Sequence, residues 1–322
     1  MTARKAVRTR RLGFEGLEKR SMLAAVGFSG GILTISGDDT AEAVNVTEVT
    51  PGTVTVTGTG IAAPVTHSGV VGIVANMQGG GDTLIIGTPA NPVDLQGAVN
   101  ILLGNDSDTA MLVINTPSAV TVDGGFQLGA AAQDDIVGVA NSTIGTLAVT
   151  TYAGNDRLGI GNSNFVGLGA NLGVGSLTAG QVDADLFIMN GGGAVGAGIN
   201  VGTSHGVAPN TVQIGGSAFN SLGINGGEGV DRVLLGGLIV NGALAINTFG
   251  GNDLVDMNTV VATSVLSITT GEGTDNVRLL AVTTPTAILD GGAGLGDTLT
   301  DDGSPAIATR IKSGWEIDDP LF

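Results

Sequence analysis

The sequence predicts an all-β chain wound as a parallel, right-handed β-helix, with coils of about 22 residues and short antiparallel strands as a cap. Three observations carry this prediction. The first is a period: acidic residues close glycine turns at Asp231, Asp253, Asp275 and Asp297, each 22 residues after the one before. The second is that other columns keep the same phase. Two residues after the aspartate stand Val233, Val255, Val277 and Leu299; seven after stand Leu238, Val260 and Val282; thirteen after stand Leu244, Leu266 and Ile288. The third is the local alternation of apolar residues, Val233 with Leu235, Leu238 with Val240 and Leu244 with Ile246. A period of two marks strands, and runs this short exclude helices. A β-sandwich would share the short strands and glycine turns, but has no reason to keep one period.

One coil reads as three short strands and three corners. Gly236-Gly237, Asn241-Gly242 and Gly250-Gly251 lie between the strands, where tight corners call for positive φ. Stacked coils sit about 4.8 Å apart, the spacing of hydrogen-bonded strands.

Residues 1–25 form a basic export or targeting segment. Seven basic residues fall in the first 20 against Glu15 and Glu18, leaving 5 basic and 27 acidic residues for the rest of the chain. Leu17-Glu18-Lys19-Arg20-Ser21-Met22-Leu23-Ala24-Ala25 resembles the N-terminal motif of large secreted and surface proteins of planctomycete bacteria. The resemblance implies export to the cell surface or extracellular space and says nothing about activity.

Residues 26–75 read as an N-terminal β cap. Ile32-Leu33-Thr34-Ile35, Ala43 to Thr47 and Thr53 to Thr57 are strands, and Pro51-Gly52 turns the last two into a hairpin. Such strands would cover the otherwise sticky edge of the first coil. Residues 76–302 are the solenoid. Its earlier glycine–acid turns end at Asp82, Asp108, Asp135, Asp156 and Asp185, with steps of 26, 27, 21 and 29; insertions of this kind map to loops. Asn210, 21 residues before Asp231, takes the aspartate's place in its coil, and the glycine-rich segment Gly191–Pro209 reads as a protruding loop. Residues 303–322 form a C-terminal cap, with the single tryptophan, Trp315, over the open end of the aliphatic column.

Composition narrows the function classes. The chain has 56 glycines in 322 residues, over twice the usual share of about 7 %, yet it is 42 % hydrophobic, enough to build a core. It has no cysteine, and so no disulfide or thiolate metal site. A body this acidic repels nucleic acid and anionic membranes, and divalent cations are its natural partners. No apolar run reaches the length of a membrane-spanning helix.

Two roles are open to the aspartates. Gly250-Gly251-Asn252-Asp253-Leu254-Val255 and Gly226-Gly227-Glu228-Gly229-Val230-Asp231 resemble the calcium repeats of RTX β-rolls, and that resemblance implies calcium as a cofactor. In this role Asp82, Asp108, Asp156, Asp231, Asp253, Asp275 and Asp297 are the metal-ligating candidates, since hard cations take several oxygen ligands. In RTX proteins the motif recurs every nine residues, whereas here it comes once per coil. In the other role each aspartate accepts a bond from a backbone N–H one or two residues on and fixes its corner. Carboxylates stacked in register would repel by ~1 kcal/mol per pair in water; Arg157 and Arg232, next to Asp156 and Asp231, are placed to screen them.

The function this implies is that of an exported, non-enzymatic solenoid, structural or adhesive, stabilised by calcium and partnered by extracellular polysaccharide or surface proteins. The alternative is a β-helix enzyme that degrades polysaccharide, a lyase or hydrolase. Such chemistry needs a carboxylate pair or a basic residue at the scissile bond. After residue 20 the basic residues are only Arg157, Arg232, Arg278, Arg310 and Lys312, with His67 in the cap and His205 beside Ser204 in the irregular segment. An irregular acidic pair on one strand face, outside the turn columns, would mark the enzyme.

Overall fold

The computed structural model describes residues 24–124, 133–173, 184–201, 208–302, 304 and 306–319. The described chain is a β-solenoid of about nine turns without a helix. In the coil that starts at Asp231, the strand Asp231–Val240 carries the first two sides and Leu244–Asn247 the third. The corner between the first two sides is one residue, Gly237, with φ of +60°. The same position, six after the aspartate, holds Asn141, Asn162, Gly191, Gly216, Thr259 and Ala281 in other coils, all with positive φ.

Coils pair in parallel, and their register stacks like on like: Val233 faces Val255, Val255 faces Val277 and Val277 faces Leu299. The same column runs back through Val212, Phe187 and Leu158 to Leu84 and Val44. All of these side chains are buried. The column seven after the aspartate is also buried at Leu238, Val260 and Val282. In the coils of Asp135, Asp156 and Asn210 it is serine: the buried Ser142, Ser163 and Ser217 donate to the carbonyls of Ala140, Gly161 and Gly215, two residues back, at 2.8, 2.9 and 3.0 Å. A hydroxyl is tolerated inside because a backbone acceptor lies within its own corner.

Three sequence expectations need correction. Ile288 is 40 % exposed and does not continue the column of Leu244 and Leu266. Leu266 pairs with Ala287, so this step is one residue short, and period two then turns Ala287 and Leu289 inward and Ile288 outward. Gly191–Pro209 is not one protruding loop, since its first ten residues belong to the strand Leu186–Asn200. The glycines there sit among residues that fill the columns: Ala194 stacks between Phe165 and Phe219, and Ile199 between Ala170 and Ile224. Ser204 and His205 lie outside the described residues. Nor does the pattern stop at Asp302: Ile307–Ser313 pairs in parallel with Thr284–Asp290, and Ile317–Asp319 with Thr298–Asp302.

At the N-terminal end, Ala25–Ser29 pairs antiparallel with Ile32–Ser36, and Ala43–Thr50, Thr53–Gly58 and Val65–Ser68 form an antiparallel meander turned at Gly52. Two of these strands are shared with the coils, because Ile32–Ser36 and Ala43–Val46 also pair in parallel with Gly72–Asn76 and Thr83–Ile86. At the other end Trp315 packs against the core and donates its indole N–H to the carbonyl of Leu289 at 3.1 Å. Most of the segment expected to direct export, residues 17–23 of 17–25, lies outside the described residues.

Candidate functional site: an aspartate ladder inside the corner

The seven aspartates picked out as metal ligands form one line parallel to the solenoid axis. Asp135, Asp185 and Asn210 complete it, and all ten are at most 2 % exposed. The donor to each carboxylate Oδ1 lies one coil away rather than in its own turn. The backbone N–H of Asp231 donates to Oδ1 of Asp253, that of Asp253 to Asp275 and that of Asp275 to Asp297, each at 2.8 Å. Toward the N-terminus the same bond links Asp82 to Asp108, Asp108 to Asp135, Asp135 to Asp156 and Asp156 to Asp185, at 2.7 to 3.1 Å. The corner-fixing role is therefore corrected: these are rungs between coils, and a local turn bond of a ladder carboxylate is seen at Asp231, whose Oδ2 accepts from the Gly227 N–H at 2.6 Å.

Asn210 confirms the substitution read from the period. Its Oδ1 accepts from the Asp185 N–H at 2.9 Å, and its Nδ2 donates to Oδ1 of Asp231 at 2.9 Å. Two residues at the ends of the line were not anticipated from the sequence. The Glu42 N–H donates to Oδ1 of Asp82 at 2.7 Å, and the Asp297 N–H donates to Oε2 of Glu316 at 2.8 Å. A signal existed for Glu42, which lies two residues before Val44 as every ladder aspartate lies two before its core residue.

Small residues make room for the second oxygen. A Cβ at Gly226 would stand 2.0 Å from Oδ2 of Asp231, and one at Gly124 would stand 2.1 Å from Oδ2 of Asp135. Oδ2 of Asp82, Asp108 and Asp297 is buried with no hydrogen-bond partner. The same holds at Asp253 and Asp275. There the neighbouring hydroxyls of Thr248 and Thr270 donate to the carbonyls of Thr270 and Gly291, at 3.2 and 3.1 Å. A buried carboxylate with one oxygen left bare favours its neutral form. Burial pushes Asp82 and Asp135 up to about 8, Asp108 and Asp253 to about 7 and Asp231 to about 6; Asp275 rises for the same reason. The bond from the preceding coil's N–H opposes this rise at Asp82, Asp108 and Asp253 without cancelling it.

Burial thus favours the protonated form at Asp82, Asp108, Asp135, Asp231, Asp253 and Asp275. Calcium takes six to eight oxygens, whereas each ladder aspartate that accepts a rung has already committed Oδ1 to an N–H of the neighbouring coil, a backbone one except at Asp231, where the donor is the Asn210 side chain. Among the described residues no group of three or more His, Asp or Glu side chains converges in a way that could hold a metal ion. Arg157 and Arg232 follow their aspartates by one residue, so they point outward and are exposed. His67, the cap histidine, stacks on Phe28 with ring centroids 4.8 Å apart. No helix among the described residues is long and apolar enough to cross a membrane. The chain matches no protein-family model, no curated protein and no solved structure, so its place among β-solenoids rests on its own parallel register.

Proposed function

We propose that this protein is an exported, non-enzymatic β-solenoid that acts as a structural and adhesive component of a cell surface or extracellular matrix. The observation that carries the reading is the ladder. The acidic residues that recur once per coil are tied to the backbone of the neighbouring coil, and so hold the stack in register. About nine turns at the strand spacing make a stiff body roughly 40 Å long, a spacer between whatever its two ends and its sides hold. Export is supported by the sequence motif at residues 17–25, and the acidic surface keeps such a rod soluble and away from anionic membranes.

Two measurements on the full chain test the proposal. In the source cells, an antibody should find the protein in the surface or medium fraction; confinement to the cytoplasm would remove the export half. Purified protein incubated with neutral and acidic polysaccharides should release no reducing ends and no unsaturated uronates. Turnover of either kind would replace the scaffold with the polysaccharide-degrading enzyme.

A further inference from the structure

One surface feature is not explained by coil stacking. The residue three after each ladder position points outward, and from the coil of Asp82 to that of Asp185 it is apolar or glycine: Ile85, Met111, Gly138, Gly159 and Ile188 stack in one column. From Gln213 the column changes character and continues as Leu234, Asp256 and Arg278. Beside it, two residues further along each strand, run Gly215, Gly236, Asn258 and Leu280. The two glycines lower one wall, and the surrounding side chains enclose an open hollow of about 330 Å³.

We propose that this hollow binds a short stretch of a neutral glycan, laid along the solenoid axis. The dimensions fit an oligomer: Gln213 to Arg278 spans three coil steps, about 14 Å at the strand spacing. So does the mixture of groups. Sugar hydroxyls both donate and accept, and here a carboxylate acceptor, a guanidinium donor and two amides stand around the apolar surfaces of Leu234 and Leu280, which suit the C–H faces of sugar rings. Asp256 and Arg278 approach to 3.9 Å and are 35 and 47 % exposed, so they balance each other's charge and keep free hydrogen-bonding positions. The balance also sets the ligand's charge. A polyanion would meet a body in which acidic residues beyond residue 20 outnumber the 5 basic ones even when the nine buried ladder aspartates are set aside from the 27, and a neutral chain meets no such barrier. Asp256 is the sole carboxylate among the lining residues, and glycoside cleavage requires a pair, so the hollow holds a glycan without cutting it. The inference rests on the adhesive part of the proposed function and names the chemistry of what is held; loss of glycan binding would leave the structural rod and its export untouched.

The full chain should be titrated calorimetrically with cello-, xylo- and mannohexaose, and with hexagalacturonate as the anionic control. At least one neutral hexaose should bind, with affinity at least tenfold weaker in Asp256→Ala and in Arg278→Ala. A Cβ at Gly236 meets nothing within 4 Å, so Gly236→Leu fills the hollow without disturbing the fold and should abolish binding at an unchanged melting temperature. The proposal is overturned if none of the three neutral hexaoses binds, or if Gly236→Leu binds as the parent does. Preference for hexagalacturonate lost in Arg278→Ala would also overturn it, by making the hollow an anion site.

Discussion

From Asp231 to Asp297 every coil has 22 residues, whereas from Asp82 to Asp231 the coils run from 21 to 29. The rungs do not register this difference. They measure 2.8 Å in the regular coils and 2.7 to 3.1 Å in the irregular ones. Coil length is thus a free variable, and the bond from one coil's N–H to the next coil's ladder residue is what stays constant. A second contrast lies within the ladder. Asn210 meets both neighbours with permanent dipoles at any pH, while its aspartate counterparts must hold a proton or carry a buried charge.

The largest effect should come from corner glycines that the stack leaves no room to change. A Cβ at Gly271, where φ is +96°, would sit 1.4 Å from the carbonyl oxygen of Phe249. Gly271→Ala should therefore lower stability by about 3 to 5 kcal/mol. Gly159→Ala, whose Cβ meets nothing within 4 Å, should be neutral or slightly stabilising. Urea unfolding of the two variants compares them directly, and equal midpoints would mean that the corners can yield.

Next in size is the ladder itself. Asp253→Ala leaves the buried N–H of Asp231 without its acceptor, at a loss of about 1 to 3 kcal/mol. Asp253→Asn keeps the acceptor and copies Asn210, so at pH 8 it should be at least as stable as the parent. A loss at Asn equal to that at Ala would show that the carboxylate charge itself matters.

The same contrast sets a pH dependence. The folded-state values near 6 to 8 lie above the unfolded value of about 3.9. Their contribution is full below about pH 4 and is lost as the pH rises through 6 to 8, because the folded chain keeps protons that the unfolded chain has released. Thermal melts followed by circular dichroism should give a midpoint at pH 5.5 higher than at pH 8.5 by on the order of 5 °C. Replacing Asp82, Asp108 and Asp253 together by asparagine should flatten that slope; an unchanged slope would place its origin elsewhere.

Smaller effects follow at the first corner and from calcium. Thr259 is a β-branched residue at φ +57°, where the preceding coil has Gly237. Thr259→Gly should add about 1 kcal/mol, read as a rise in urea midpoint, and a fall would mean that its hydroxyl bond to Asn258 matters more. Millimolar calcium against EDTA, at matched ionic strength, should move the melt by less than about 2 °C, since the ladder carboxyls are buried and each gives its Oδ1 to the neighbouring coil. A rise of many degrees would restore the aspartates as calcium ligands.

What the sequence determined by itself was the architecture. Its 22-residue period, the alternation around Val233 and Leu235 and the corner at Gly237 were enough to predict stacked three-strand coils, because core columns and turns are local patterns repeated. Asn210 could also be placed, by counting. What only the tertiary structure decided was what the aspartates do and where the coils end. The N–H that Asp253 accepts lies 22 residues away in the chain, and the two become neighbours only after stacking, so a local turn bond was the natural reading of an aspartate beside glycines. Burial is likewise a property of the stack, and it raises the carboxyls of Asp82, Asp108, Asp135, Asp231, Asp253 and Asp275 above their ordinary range. The single-residue slip that turns Ile288 outward, and the pairing that continues through Ser313 to Asp319, depend on hydrogen-bond register, which the spacing of apolar residues specifies only where a coil keeps its full length.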